Sequence, residues 1–154
     1  MKKIIFTVIV LLNFSCNNSN EISEKEVKDT ILGMFNSFSV ESNDKNTFYN
    51  YVTDDYVLYE MGKEMNAAEF LEFASTFNII EDDWEITNWN ITIDKESAHA
   101  HFKNKGRFVT FNDGKKTLLN YQWLESAYLV KIEDKLKIKF YFSDVVNLSS
   151  EELK

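Results

Sequence analysis

Residues 84–146 read WEITNWNITIDKESAHAHFKNKGRFVTFNDGKKTLLNYQWLESAYLVKIEDKLKIKFYFSDVV. Apolar and polar side chains alternate with a period of two through this stretch, the signature of strands with one buried face. Three polar pairs interrupt it: Lys95-Glu96, Asp113-Gly114 and Glu133-Asp134. Four strands are expected, over residues 84–94, 97–111, 116–132 and 135–146. Asp113-Gly114 is the strongest hairpin signal, because a two-residue turn of the primed type needs left-handed backbone at both positions.

The three turns can be checked against one another, since a two-residue turn dictates which residues pair. The first pairs Ile93 with Ala98, Ile91 with Ala100 and Trp89 with Phe102. The second pairs Ala100 with Ala127, Phe102 with Glu125 and Asn104 with Trp123. The third pairs Leu129 with Ile138, Ala127 with Phe140, Glu125 with Phe142 and Trp123 with Asp144. All three gather a largely apolar set on one face. Thr92, His99, His101, Lys103, Ser126, Lys137 and Lys139 fall on the other. The meander is therefore a sheet with one core side and one polar side.

Upstream, Ser23 and Glu26 have capping-box spacing, and Val27, Ile31, Met34, Phe35 and Phe38 recur at helical spacing. A first helix is expected over 24–38. Asp44 caps a shorter second helix that buries Phe48, Tyr51 and Val52. A strand over 56–61 ends at Gly62. Asn66 with Glu69 opens a third helix with Phe70, Leu71, Ala74 and Phe77 on its apolar stripe.

The first residues have a different character. Met1 to Lys3 is basic, and Ile4 to Leu12 is an apolar run too short to span a bilayer, which takes about 20 residues. This is the layout of an export signal. Ser15-Cys16 resembles the lipobox that bacterial signal peptidase II cleaves, although Asn13 stands where Leu is usual. The resemblance implies an exported lipoprotein held in the membrane through a lipid on Cys16, on the periplasmic face or at the cell surface. The expected organisation is a signal peptide over 1–15, a tether over 16–22, one domain over 23–148 and a tail over 149–154. The richness in Lys, Ile, Asn and Phe is similar to lipoproteins of the Bacteroidota. Asp29-Thr30-Ile31 resembles their O-glycosylation acceptor.

Composition narrows the function. With 44% hydrophobic and 15% aromatic residues among 154, a packed core is expected. The formal charge is −8, and loss of Lys2 and Lys3 with the signal would take it to about −10. Charge alone then disfavours nucleic acid and anionic membrane surfaces. The one cysteine excludes an internal disulfide framework. No P-loop, GxGxxG, CxxC or Ser-His-Asp pattern is present, so no cofactor is implied. His99 and His101 share a strand face, but on the polar side with no carboxylate expected nearby; no metal site is expected.

The order helix, helix, strand ending in Gly, helix, then a four-stranded meander resembles the NTF2-like superfamily, in particular its SnoaL-like and DUF4440-like members. Asn43-Asp44 through Thr53-Asp54-Asp55-Tyr56-Val57-Leu58-Tyr59 is similar to that family's second helix and its acidic entry into the first strand. Tyr128 to Ile138 is similar to its closing hairpin, with Asp134 and Leu136 where Gly and Trp are frequent. The resemblance implies an α+β cone: three N-terminal helices packed on a strongly bent, mostly antiparallel sheet, with a pocket at the open end. It also implies a homodimer through the sheet.

The expected pocket is lined by Trp89, Phe102, Asn104, Trp123, Phe140 and Phe142. Glu125 and Asp144 among these rings are the acid/base candidates, because desolvation raises a carboxylic acid's pKa into the range useful for proton transfer. The first reading is a non-catalytic envelope domain that binds a small apolar or amphipathic ligand or a protein partner. The second is an isomerase or dehydratase using Glu125 or Asp144. The third is an assembly module that uses the outer sheet face.

Overall fold

A computed structural model describes residues 21–42 and 44–154. The export signal and Cys16 lie outside the described residues. Helix α1 spans Glu24–Phe38. A 3₁₀ helix, Lys45–Asn50, follows. Then come strands β1 (Val52–Glu60) and β2 (Lys63–Met65), helix α2 (Ala67–Ser75), and strands β3 (Ile79–Ile93), β4 (Ser97–Asn112), β5 (Lys115–Ile132) and β6 (Lys135–Leu153). One six-stranded sheet has the order β2-β1-β6-β5-β4-β3. All its neighbours are antiparallel except β1 and β6, which run parallel. Among the described residues no helix is long and apolar enough to cross a membrane.

Both α-helices begin where side chains satisfy the free backbone N–H groups. Ser23 Oγ accepts from Glu26 N at 3.1 Å. Ile22, expected within the tether, is instead buried with Val27 in the core. These are the N′ and N4 positions of a hydrophobic staple, so α1 is anchored at its entry. Thr30 is also buried and donates its hydroxyl to Glu26 O. The Asp29-Thr30-Ile31 triplet thus lies inside a helix with its threonine hydroxyl buried and engaged. For α2 the capping box is complete: Asn66 Oδ1 accepts from Glu69 N at 3.0 Å and Glu69 returns to Asn66 N at 2.8 Å.

Three expectations are corrected. The second helix is a six-residue 3₁₀ turn, not an α-helix, although Asp44 caps it as expected by accepting from Asn46 N. The last strand does not stop at 146: it pairs with β5 as far as Leu153 opposite Lys116, through the residues expected as a tail. β3 likewise starts earlier than expected, at Ile79.

The core fills the space between α1 and the middle of the sheet. Val27, Ile31, Phe48, Val52, Leu129 and Ile138 are inaccessible to solvent. Ala98, Ala100 and Ala127 sit opposite them on β4 and β5, and their small size lets the helix approach the sheet. Asp113 (φ 52°) and Gly114 (φ 78°) form the turn that the sequence signals.

The pairing of β4 with β5 follows the Asp113-Gly114 turn without a break. The other two hairpins hold their expected register near the turn and then slip. In β3 the ladder jumps between Thr87 and Asn90, at Asn88 with φ 56°. That bulge lets both Trp84 and Trp89, five residues apart, face the core side. In β6, Leu129 pairs with Ile138 but Tyr128 pairs with Phe140, which leaves Lys139 as an extra residue. Lys139 donates to Asp55 Oδ2 of β1 at 2.5 Å, and Asp55 also accepts from Thr53 Oγ1. The ammonium and the hydroxyl together hold the Asp55 carboxyl below its usual range.

Phe48 meets Phe38, Tyr56 and Phe70 at ring separations of 5.6–6.1 Å. Phe48→Ala should therefore cost about 3–5 kcal/mol of stability in chemical denaturation, whereas Leu148→Ala, half exposed, should change it by less than about 0.5 kcal/mol.

Candidate functional site

A cavity of about 510 Å³ opens between α1, α2 and the inner face of the sheet. Its apolar walls come from Met34, Phe35 and Phe38 on α1, Phe70 and Phe73 on α2, and Trp84, Phe108 and Leu119 on the meander. Exposed lining residues, among them Val40, Met61 and Asn78, mark its open end. Such a cavity has the size and apolar character of a small-molecule site.

The rings pack tightly. Tyr121 and Trp123, two apart on β5, stack at 4.8 Å with planes 6° apart. Trp84 lies 4.8 Å from Phe108 and 5.9 Å from Trp123. Gly106 makes this possible: it pairs with Trp84 on one side and Tyr121 on the other. A Cβ there would come within 2.5 Å of the Phe108 ring and 2.7 Å of the Trp123 ring.

Polar groups converge on the inner end. Glu125 is 6% exposed and lines the cavity. Its hydrogen bond comes from Ser143 Oγ at a long 3.4 Å, and its Oε2 has no partner among the described residues. Burial pushes its pKa up to about 8, against a smaller downward pull from Tyr141, Asn104 and Ser143, while Glu60 pushes it further up. Glu60, at the end of β1, also lines the cavity, and burial raises it to about 7 against the pull of Trp123. Burial also raises the phenols of Tyr56 and Tyr141, with Glu125 adding to both. Tyr141 Oη and Trp123 Nε1 are buried, line the same cavity and lack a hydrogen-bond partner among the described residues; so do both side-chain polar atoms of Asn104 behind them.

The other charges at this cavity are engaged. Asp82 accepts from Ser39 Oγ at 2.9 Å, from Val40 N and from Trp84 Nε1. Lys45 Nζ donates to the carbonyls of Phe38 and Ser39, and burial lowers its pKa against the pull of Asp82.

The structure brings together only part of the set expected from sequence. Trp123 and Glu125 line the cavity. Phe102 and Asn104 are buried beside them, and Trp89 packs on Phe102 at 4.5 Å in the core below. Phe140, Phe142 and Asp144 are corrected. The extra residue at Lys139 reverses their parity, so Tyr141 pairs with Ala127 and Ser143 with Glu125. Phe142 and Asp144 are exposed, and Phe140 packs against Tyr59 at 5.6 Å on β1. His99 and His101 are exposed on that opposite face, with His99 Nε2 2.7 Å from Ser126 Oγ. Glu60, Tyr56 and Tyr141 were missed. The first two carry a readable signal, because residues 56, 58 and 60 share one face of a strand whose other members are buried.

No family model matches the chain, and no curated protein matches it. Solved structures do. A protein from Novosphingobium aromaticivorans, provisionally named an aromatic ring hydroxylase, superposes with a TM-score of 0.67 at 19% identity, over 82% of this chain and 92% of that one. A provisionally named scytalone dehydratase from the same organism gives 0.66 at 12%, over 84% and 88%. A type 2 hexachlorocyclohexane dehydrochlorinase gives 0.65 at 9%, over 81% and 88%. These neighbours share the SnoaL/NTF2-like cone, and at such identities the likeness is one of fold.

Two outcomes follow from this geometry. The unfolded chain releases the Glu125 proton near pH 4.5 and the folded chain near 8. Between those values the unfolded state binds fewer protons, so stability falls as pH rises through this window and then levels off. Glu125→Gln should flatten that fall and, relative to the unmodified chain, gain on the order of 3 kcal/mol between about pH 5 and about pH 8.5 in chemical denaturation. Gly106→Ala should force the Phe108 and Trp123 rings to shift, costing about 1–3 kcal/mol and altering tryptophan fluorescence.

Proposed function

We propose that the cavity is an active site in which Glu125 moves a proton to and from a carbon atom of a small, largely apolar substrate. The observation that carries this reading is a glutamate 6% exposed, lining an open cavity, with no cation set against it among the described residues. A purely structural carboxylate in that position would be paired, because an unpaired buried charge is costly. A pocket made only to hold an apolar molecule would gain by replacing Glu125 with an apolar residue.

The chemistry follows from the pKa. A base is most effective when its pKa lies near the working pH. Ionised Glu125 takes a proton from a C–H bond made acidic by an adjacent carbonyl. The electron pair moves onto the carbonyl oxygen, and the proposed donors to the oxyanion are Tyr141 Oη–H and Trp123 Nε1–H, which belong to cavity-lining residues and lack a partner among the described residues. Return of the proton to another carbon gives isomerisation; departure of a group on the neighbouring carbon gives elimination. The names of the dehydratase and dehydrochlorinase neighbours support this class of reaction only by analogy.

We also propose that the domain is carried on a lipid at Cys16 outside the cytoplasm, on the strength of the lipobox resemblance. A second copy of the chain is proposed to cover part of the outer sheet face, where Tyr59, Leu124, Tyr128 and Phe142 are exposed. Metabolic labelling with a radiolabelled fatty acid should mark the chain and fail to mark Cys16→Ser.

The catalytic reading is tested by deuterium exchange into 2-tetralone, a ketone whose C1–H bonds are both benzylic and next to the carbonyl, followed by NMR. The chain should accelerate exchange over buffer, with kcat/KM rising through an apparent pKa near 8 because the base must be ionised. Glu125→Gln should lower it by about 100-fold or more. Equal rates for the two proteins would refute the assignment.

A further inference from the structure

The charge balance of the cavity points to the kind of molecule it takes, on the reading above that this cavity is the working site. Three carboxylates line it, Glu60 on β1, Asp82 on β3 and Glu125 on β5, against one ammonium, Lys45. Asp82 and Lys45 are held by the loop after α1, through Ser39, Val40 and the carbonyls of Phe38 and Ser39. Glu60 and Glu125 have no cation set against them among the described residues, and the charge of Glu60 pushes Glu125 up. The same cavity is lined by the aromatic residues Trp84, Phe108, Tyr121 and Trp123, a ring type whose faces attract positive charge. Glu125, whose Oε2 is buried and without a partner among the described residues, lines the same space.

We propose that the substrate or ligand is a lipophilic organic cation, an ammonium group on an apolar body, which places its charge beside Glu60 and its body among the rings of Trp84, Phe108, Tyr121 and Trp123. An anionic ligand would meet two uncompensated carboxylates, and a neutral one would leave both in the same low-dielectric space. A cation neutralises Glu60 and removes the repulsion that Glu60 exerts on Glu125. Binding therefore drives Glu125 toward its ionised form, the form that accepts a proton. The ligand's own charge would thus prepare the base, and the empty pocket would stay largely protonated.

This makes recognition depend on pH. The titratable groups facing the pair are Tyr56 from β1, Asp82 from β3, Tyr121 from β5 and Tyr141 from β6, with Lys45 on the 3₁₀ helix. Burial raises all three phenols, so they stay neutral across the range in question. The charge that changes is then that of Glu60 and Glu125, and cation affinity rises as pH increases through about 7 and about 8.

The test is tryptophan-fluorescence titration of the full chain with benzyltrimethylammonium and with neopentylbenzene, its uncharged isostere. The cation should bind about tenfold tighter or better near pH 8.5, and its advantage should shrink at least about fivefold near pH 6. Glu60→Gln should abolish most of that advantage while leaving neopentylbenzene affinity within about twofold. Neopentylbenzene binding as tightly as the cation near pH 8.5 would overturn the proposal and leave the cavity's role as an active site standing. An advantage that does not change with pH in the unmodified chain would also overturn it, whatever the folding of the variant. Failure of both compounds to bind would count against the cation and the active-site reading together.

Discussion

One extra residue, Lys139, decides what faces the cavity. Strand side chains alternate with a period of two, so a single insertion exchanges the two faces of everything beyond it. Upstream of Lys139, β6 buries Leu136 and Ile138; downstream it buries Tyr141 and Ser143. Without the bulge, Phe140, Phe142 and Asp144 would stand beside Glu125. With it, Glu125 has a hydroxyl and a phenol for neighbours, and the second carboxylate of the site comes from β1. The ammonium of Lys139 reaches Asp55, so the irregular residue also ties β6 to its parallel partner.

The arrangement is expensive. Asn104, Trp123, Glu125 and Tyr141 each bury polar atoms without a partner among the described residues, and such groups cost about 1–3 kcal/mol apiece. A chain selected only for stability would fill these positions with apolar side chains. The aromatic packing around Phe35, Phe38, Phe48 and Trp84 offsets part of that cost. Strain of this kind concentrates where a protein binds or reacts. The same logic separates the two faces of the sheet: the outer one carries exposed rings and histidines that cost little in water, and the inner one carries buried polar groups without a partner among the described residues.

The sequence made local geometry legible and left its interruptions hidden. Turn chemistry at Asp113-Gly114 predicts the whole β4–β5 ladder, and through it the placing of Trp123 and Glu125 on the inner face. Capping residues mark the starts of both α-helices. The bulges at Asn88 and Lys139 have no such mark, because neither is Gly and neither breaks the visible alternation near its turn. Every site residue assigned beyond Lys139 was therefore assigned to the wrong face. Glu60 escaped notice because it reaches the cavity from a parallel strand that no hairpin connects to the meander. The six residues after Asp44 supply too short an apolar stripe to separate a 3₁₀ turn from an α-helix. Ile22 reads as part of a polar tether until its staple partner Val27 is considered.

The claim on which all of this turns is that Glu125 is protonated at the buried inner end of the cavity, where no cation among the described residues is set against it. Carbon-13 NMR of the glutamate side-chain carboxyls, with Glu125→Gln to assign the resonance, measures that directly. The account predicts a Glu125 midpoint of about 8, with a second perturbed carboxyl, that of Glu60, near 7. A Glu125 midpoint near the ordinary 4.5 would mean that the group is solvated or paired, and would contradict it.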